Sequence, residues 1–471
     1  MLSERKKLIV LHTNDIHSHL EQTPKIAAYM NEVRQKHDPS LVLTIDIGDH
    51  LDRMRPETEG TDGLANVQIM NATGYEAMVV GNNEGLTFTP DAIGAIFARH
   101  AGFSVIGSNI TETNTGNYPS WMVPYRLIEK GGLTIGLLGV TATYPDFYDL
   151  LGWKVDNPIE AVANWTSELR SKADVLIVLS HTGILMDRMM AEQVDGIDLI
   201  LGGHTHHLLE EPERINGTMI CAAGKFGQYV GEIHIEFDPR DHTITGMDAG
   251  VVEIEGLQDD PDILHLLTKS RKEAQLALGV EVARLSSPLK NDWYAASPLG
   301  NLLADSLRRF TRTELSLVNA GQLLGGLEAG SVTKGRLLEI CPSPINPCRI
   351  KLRGKQIRKA LEESLLDEFI RKPIRGFGFR GKVLGTLCMS GVEGEVNPNA
   401  PSGHKWTSIR VNGRPLQDDR VYSVGTIDMF TFGVGYLSLS QGEEVEYLLP
   451  DFLRDLLCEE LILLNHSYPH S

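Results

Sequence analysis

The sequence lacks an excess of positive charge, has few cysteines and contains no long apolar run, and each lack argues against a class of function. Lysine and arginine number 44 against 62 aspartates and glutamates, a formal net charge of −18. A nucleic-acid polymer needs clustered basic side chains on its phosphates, so this balance argues against such a partner. Acidity of this kind reads as a solvated surface, although a small anionic substrate can still bind where metal ions reverse the local field. The five cysteines, Cys221, Cys341, Cys348, Cys388 and Cys458, are odd in number and form no CxxC pair. That argues against a disulfide framework and a thiolate zinc site, and for isolated buried thiols in a reducing compartment. No stretch approaches the roughly 18 apolar residues that a bilayer-spanning helix requires. The N-terminus, MLSERKKLIVLHTND, enters an apolar run without the longer segment of a signal peptide. The expectation is a cytoplasmic protein with no membrane partner, its oligomeric state left open.

What is present is ample core. The chain has 471 residues, 42% hydrophobic and 23% charged, which predicts two domains or three. To about residue 210, apolar runs alternate with segments of helical period such as PKIAAYMNEVRQK and AVANWTSELRSKA, the pattern of layered α/β structure. TMICAAG, YVGEIHIEF and TITGMDAGVVEI then read as successive strands, giving a first domain over 1–255. EGLQDDPDILHLLTKSRKEAQLALG reads as a connecting helix within 256–285, and 286–471 as a second, α+β domain. The Gly- and Pro-rich patches at 371–381 and 394–403 read as long loops.

Five polar clusters stand at the ends of apolar runs: Asn14-Asp15-Ile16-His17, Gly48-Asp49, Gly81-Asn82, Ser180-His181 and Gly203-His204-Thr205-His206. In open α/β sheets ligands gather at the carboxyl ends of strands. Asp15 and His17, two apart in an extended segment, are expected to point the same way, and His204 with His206 to repeat that geometry. Asp49 follows a glycine and can present a bridging carboxylate, Asn82 offers a neutral oxygen, and His181 ends its own strand. Two carboxylates, four imidazoles and an amide suffice for two ions sharing one bridge. Nitrogen and oxygen ligation without thiolate suits Mn, Zn, Fe or Co. Two divalent ions, two carboxylates and a bridging hydroxide leave a net charge of about +1, which suits a phosphoryl oxygen. Hydrolysis of a phosphate ester or phosphoanhydride is the reaction class expected, by activated water attacking phosphorus. His12, His19, His50 and His207 lie beside these positions as supporting or incidental residues.

HTNDIHSHL, DIGDH, GNNE, LSHTG and GGHTHH, in this order, resemble the signature of a metallophosphoesterase of the 5′-nucleotidase / UDP-sugar hydrolase group. SPLGNLLADSLR, VNAGQLLGGLEAGSVTKGRLLEICPSPIN, KLRGKQI and VYSVGTIDMF resemble the nucleotidase C-terminal domain. The resemblance implies a four-layer α/β sandwich followed by a substrate-recognising α+β domain. It implies one ion on Asp15, His17, Asp49 and His206 and a second on Asp49, Asn82, His181 and His204, with Asp49 as bridge. A small phosphorylated substrate is the partner implied.

Departures from the family pattern matter as much. Where the family reads GNHEFD, this chain reads Gly81-Asn82-Asn83-Glu84-Gly85-Leu86, so Asn83 and Leu86 replace a His–Asp pair that assists the leaving group. Asn83, the candidate catalytic residue, can hydrogen-bond to developing charge but cannot deliver a proton, and general acid help is worth roughly 10²–10⁴ in rate. Leaving groups of low pKa suffer less, which favours a phosphoanhydride or nucleotide sugar over a nucleoside monophosphate. Leu324 stands where a phosphate-reading arginine is usual, and Thr386-Leu387-Cys388-Met389-Ser390-Gly391 lacks a base-stacking aromatic. Gly433-Val434-Gly435 replaces GGDG. Phe430 is either the second stacking ring or core, and Arg353, Arg371, Arg375 and Arg380 are either an alternative anion grip or surface charge. Two readings follow: a two-metal phosphohydrolase, or a catalytically weak relative acting as a metal-dependent binding or regulatory protein.

Overall fold

A computed structural model of the protein describes residues 5–467. The chain divides into two compact units, the first running to Ala274 and the second starting at Gln275. That division falls inside the helix Pro261–Leu278, which lies within the segment expected to connect the domains, and the strand Glu281–Leu285 follows it. No helix among the described residues is long and apolar enough to cross a membrane.

The first unit is built on two sheets. One has seven strands, with Lys6–Thr13, Val42–Asp46 and Ala77–Val79 adjacent and parallel near its middle. The other has six, with Val175–His181 beside Leu199–Gly202, also parallel. These strands are apolar nearly throughout because both faces are covered. Leu8, Val10, Leu43, Ile45 and Val79 of the first sheet share one core with Leu137, Ile177, Leu179 and Leu201 of the second, so the sheets pack face to face. Fully burying such a side chain contributes about 1.5–3 kcal/mol. The outer face of the six-stranded sheet carries Leu176, Val178 and Ile200 against Val162, Leu169 and Met190 of the helices Pro158–Leu169 and Ile184–Gln193. Helices Thr23–Lys36 and Leu64–Thr73 meet through Ala27, Ala65 and Ile69 on the other side. The result is the four-layer sandwich, helix on sheet on sheet on helix.

Two consequences of this architecture position the site. Parallel strands end together, so the loops after Thr13, Asp46 and Val79 lie side by side, as do those at His181 and Gly202. The loops also cross at glycines. A Cβ on Gly48, whose φ is +82°, would lie 2.7 Å from the Gly81 nitrogen, and one on Gly81 would lie 2.2 Å from Asp49 Oδ1. Larger residues at either position would drive the Asp49 and Asn82 loops apart.

The second unit is centred on a five-stranded mixed sheet in the order Leu387–Ser390, Leu315–Asn319, Val421–Ile427, Pro347–Arg353, Glu443–Tyr447. Helices Pro298–Thr311 and Leu453–Ser467 accompany it, and both contribute to one core that includes Leu303, Leu307, Leu317, Val424 and Leu457. One expectation needs correction here. The 394–403 patch is not loop throughout, because Val392–Val396 pairs with Trp406–Val411. A Cβ at Gly394 would lie 2.1 Å from the Ser408 carbonyl oxygen, so the glycine that suggested a loop permits a close strand pairing instead.

Candidate metal centre

Five of the seven site residues do not have the extended backbone of a strand, whereas His181 ends one. Asp15, His17, Asp49, His204 and His206 all have positive φ, at 51°, 47°, 50°, 72° and 59°. The pleat therefore does not orient Asp15 with His17, or His204 with His206, as a one-residue spacing in a strand would. Left-handed backbone costs a non-glycine residue of order 1–3 kcal/mol and persists only where its surroundings over-determine it. Here they do. Asp15 N–H donates to the Gly48 carbonyl at 3.1 Å, His17 N–H to that of Asp49 at 2.8 Å and Ser18 N–H to that of His50 at 2.9 Å, which laces the first loop onto the second. Asn14 ties the same loop elsewhere, donating to Gly224 O at 2.6 Å and accepting from Ala223 N at 2.9 Å.

These loops bring the seven residues together. His17 Nε2 lies 3.1 Å from His206 Nε2, and both face Asp15 Oδ1, at 3.8 and 3.4 Å. His181 Nε2 lies 3.3 Å from Asp49 Oδ1 and 4.0 Å from Asp15 Oδ1. The other oxygen of Asp49, Oδ2, is 3.8 Å from His17 Nε2, so its carboxylate spans both groups. Asn82 Oδ1 is 3.2 Å from His181 Nε2 and 2.8 Å from His204 Nδ1. Asp15, His17 and His206, and Asp15, Asp49 and His181, each have the proximity needed to hold a metal ion. Buried carboxylates and imidazoles aimed inward at one another fit a hard or borderline cation that accepts nitrogen and oxygen donors.

Electrostatics bear out the crowding. Burial opposes the charge of Asp49, but the charge and hydrogen bond of His181, with the charge of His17, hold its carboxyl well below the usual range. Burial likewise works against a charged His181, yet Asp49 and Asp15 push it up to about 10. His204 goes the other way. Burial, with the charge of His181, lowers it to about 4, leaving the neutral imidazole that a metal ligand must be. Glu84 is pushed up to about 7 by burial and by Asp49. Its carboxyl nevertheless accepts from Asp49 N at 3.0 Å, Leu51 N at 2.8 Å and Gly81 N at 2.9 Å, and so knits two of the loops.

Sequence reasoning did not single out Glu84, Asp52 or Tyr144. Asp52 Oδ2 lies 3.3 Å from His17 Nδ1. The only signal for Asp52 was a second carboxylate three residues after Asp49. Asn83 is buried, and its amide nitrogen lies 2.9 Å from His17 Nδ1 while its backbone N–H donates to Asp49 Oδ1 at 2.7 Å. Of the neighbouring histidines, His50 contacts Asn66 at 3.2 Å, His19 contacts Glu21 at 2.9 Å and His207 contacts Thr205 at 2.9 Å. His12 is fully buried in its strand.

In the second unit, Phe430 is fully buried and packs edge-on against Tyr436, which makes it core. Leu324 is exposed. Arg353 caps the helix Gly354–Glu363, Arg371 lies over the Tyr294 ring at 4.6 Å, and Arg380 N–H donates to Ser343 Oγ at 3.1 Å. Arg375 lies in the same loop as Phe377. Phe377 and Phe432, both exposed, are stacked with ring centroids 6.1 Å apart.

Residues 8–208 match the model of the calcineurin-like phosphoesterases, and 278–438 that of the 5′-nucleotidase C-terminal domain. An uncharacterised metallophosphoesterase of Bacillus subtilis, YunD, is 40% identical over 461 residues, spanning 97% of this chain and 99% of its own. The chain belongs to the 5′-nucleotidase family of metallophosphoesterases. The 5′-nucleotidase of Rattus norvegicus is 24% identical over 423 residues, covering 76% of this chain and 72% of that protein. Among solved structures, the NAD nucleotidase of Haemophilus influenzae shares the fold with a TM-score of 0.67 at 18% identity, covering 99% of this chain and 97% of that one. A 5′-nucleotidase precursor from Thermus thermophilus gives 0.62 at 22% identity over 98% and 97%. Family membership makes this protein a metal-dependent phosphoester hydrolase.

Proposed function

We propose that the protein hydrolyses a nucleotide, nucleotide sugar or similar small phosphorylated metabolite in the cytoplasm, using two divalent ions. Asp15, His17, Asp49 and His206 hold one, and Asp49, Asn82, His181 and His204 the other, in this reading. The observation that carries it is the Asp49 carboxylate, with one oxygen facing His17 and the other His181. The five free cysteines fit a reducing compartment.

Divalent ions in such a pair lower the pKa of water and offset charge on the attacking and leaving oxygens of a displacement. The chain's own residues supply the rest. The backbone hydrogen bonds of Asp15, His17 and Ser18 hold the donors in place, which lowers reorganisation during reaction. Asn83, held by His17 and Asp49, can offer an amide hydrogen bond to developing charge and no proton. On the second unit, the exposed rings Phe377 and Phe432 stack on each other and leave outer faces on which a planar base can lie.

The test is assay with Mn²⁺ against an aryl phosphate, AMP and UDP-glucose. Turnover should be fastest where the leaving group needs no proton. No turnover on any of them would favour the binding or regulatory reading. Asn83→His should raise turnover on alkyl phosphates and barely change it on aryl ones. Equal effects on both substrate types would remove the proton-donor explanation.

A further inference from the structure

Tyr144 belongs to none of the strand-end clusters. It stands at the N-cap of the helix Pro145–Leu151 and is 39% exposed. Its hydroxyl oxygen lies 3.2 Å from His204 Nε2, and the two rings meet edge to face with centroids 6.1 Å apart. The other nitrogen of His204, Nδ1, lies 2.8 Å from Asn82 Oδ1. The two ring nitrogens are therefore committed in opposite directions, one inward to the candidate centre and one outward to the phenol.

A neutral imidazole carries its proton on one nitrogen and a lone pair on the other, and the partner of one decides the state of the other. The neighbouring His181 shows the same division. His181 Nδ1–H donates to the Ile47 carbonyl at 2.7 Å, leaving Nε2 facing Asp49. His17 Nδ1 has two neighbours, Asp52 Oδ2 at 3.3 Å and the Asn83 amide nitrogen at 2.9 Å, with Nε2 facing Asp15 and Asp49. A buried carbonyl serves His181, whereas a partly exposed hydroxyl lies against His204.

We propose that Tyr144 is a positioning residue of the centre: with an ion bound, its hydroxyl oxygen would accept the Nε2 proton of His204 and leave the Nδ1 lone pair to join Asn82 Oδ1 as a ligand, in place of the Nδ1–H to Oδ1 hydrogen bond made without the ion. This assignment rests on the reading of His204 as a metal ligand. Groups that hold the far nitrogen of a ligating histidine commonly change metal affinity by about 10–100-fold when removed. Tyr144→Phe removes the hydroxyl and keeps the ring, so the helix start is left intact.

The experiment is calorimetric titration of the metal-free protein with Mn²⁺ for the parent, Tyr144→Phe and His204→Ala, with the melting temperature of each metal-free form. Tyr144→Phe should weaken one equivalent of metal by about 10–100-fold. The other equivalent and the metal-free melting temperature should be unchanged. Parent-like binding in Tyr144→Phe, while His204→Ala loses an equivalent, would overturn the Tyr144 assignment alone. Full binding by His204→Ala would instead overturn the ligand reading on which the assignment stands. A uniform loss of affinity together with a lower metal-free melting temperature would reduce Tyr144 to a packing residue and overturn the proposal as well.

Discussion

The two units treat their family motifs differently. In the first, the seven candidate donor residues are gathered to within a few ångströms by loops whose backbones are hydrogen-bonded to one another. In the second, motif positions have been absorbed or emptied: Phe430 and Cys388 are core, and Leu324 is exposed in place of a cation. The contrast follows from what each kind of site demands. Metal ligation fails if a donor moves by a few tenths of an ångström, so every ligand and the strained backbone beneath it must be kept together. Recognition of a planar, charged metabolite is a sum of modest contacts, and in the function proposed above these fall to Phe377 and Phe432.

Four predictions bear on this contrast. Asp49→Ala removes the carboxylate that spans both groups, and should lower turnover of an aryl phosphate by more than about 10²-fold. It should also reduce metal content by elemental analysis. Unchanged metal content would break the comparison at its stronger end. Asp52→Asn, which weakens the grip on His17 Nδ1, should cost about 10–100-fold in Mn²⁺ affinity, read by titration. Phe377→Ala or Phe432→Ala should raise KM for a nucleotide about tenfold, since stacking a base contributes about 1–3 kcal/mol. Neither should change kcat on an aryl phosphate or the metal content, and a loss of metal in either variant would show that the units do not divide the labour in this way.

The fourth prediction separates the units by pH. His12 is fully buried with neither ring nitrogen hydrogen-bonded, and burial lowers its pKa from 6.5 to about 3. Its neutral form is favoured in the fold, while the unfolded chain takes up the proton below about pH 6.5. Stability of the first unit therefore falls as the pH drops from about 6.5 towards 3, by about 1 kcal/mol at pH 5.5. Among the described residues the second unit has no buried histidine, so its stability should lack this dependence. His12→Leu should reduce the loss of first-unit stability between pH 7.5 and 5.5 in urea unfolding by about 1 kcal/mol, leaving the share of His50, which burial also lowers to about 3. An unchanged slope would assign the acid sensitivity elsewhere.

The apolar runs, the carboxyl-end placement of the five clusters and the donor types were legible in the sequence, because strand hydrophobicity and ligand chemistry are properties of short segments. The signals for Glu84, Asp52 and Tyr144 were weak, because their roles depend on which loop lies opposite. Asp52 reaches a histidine 35 positions earlier and Tyr144 one 60 positions later, and no local pattern encodes such pairings. The conformation of the donors was also misread. A one-residue spacing suggests a strand, but Asp15, His17, His204 and His206 have left-handed backbone, which the neighbouring loop holds at Asp15 and His17 and the Asp15 carboxylate holds at the His204 N–H.

By itself, then, the chain's order of residues determined two domains, layered α/β structure in the first, and a set of nitrogen and oxygen donors at strand ends. Tertiary structure alone decided that three of those ends come from one sheet and two from another, and that their carboxylates and imidazoles converge. The physical reason is range. Burial of apolar strands is dictated residue by residue, whereas the convergence of the candidate ligands is set by how two packed sheets align their edges and by the backbone hydrogen bonds that cross between loops.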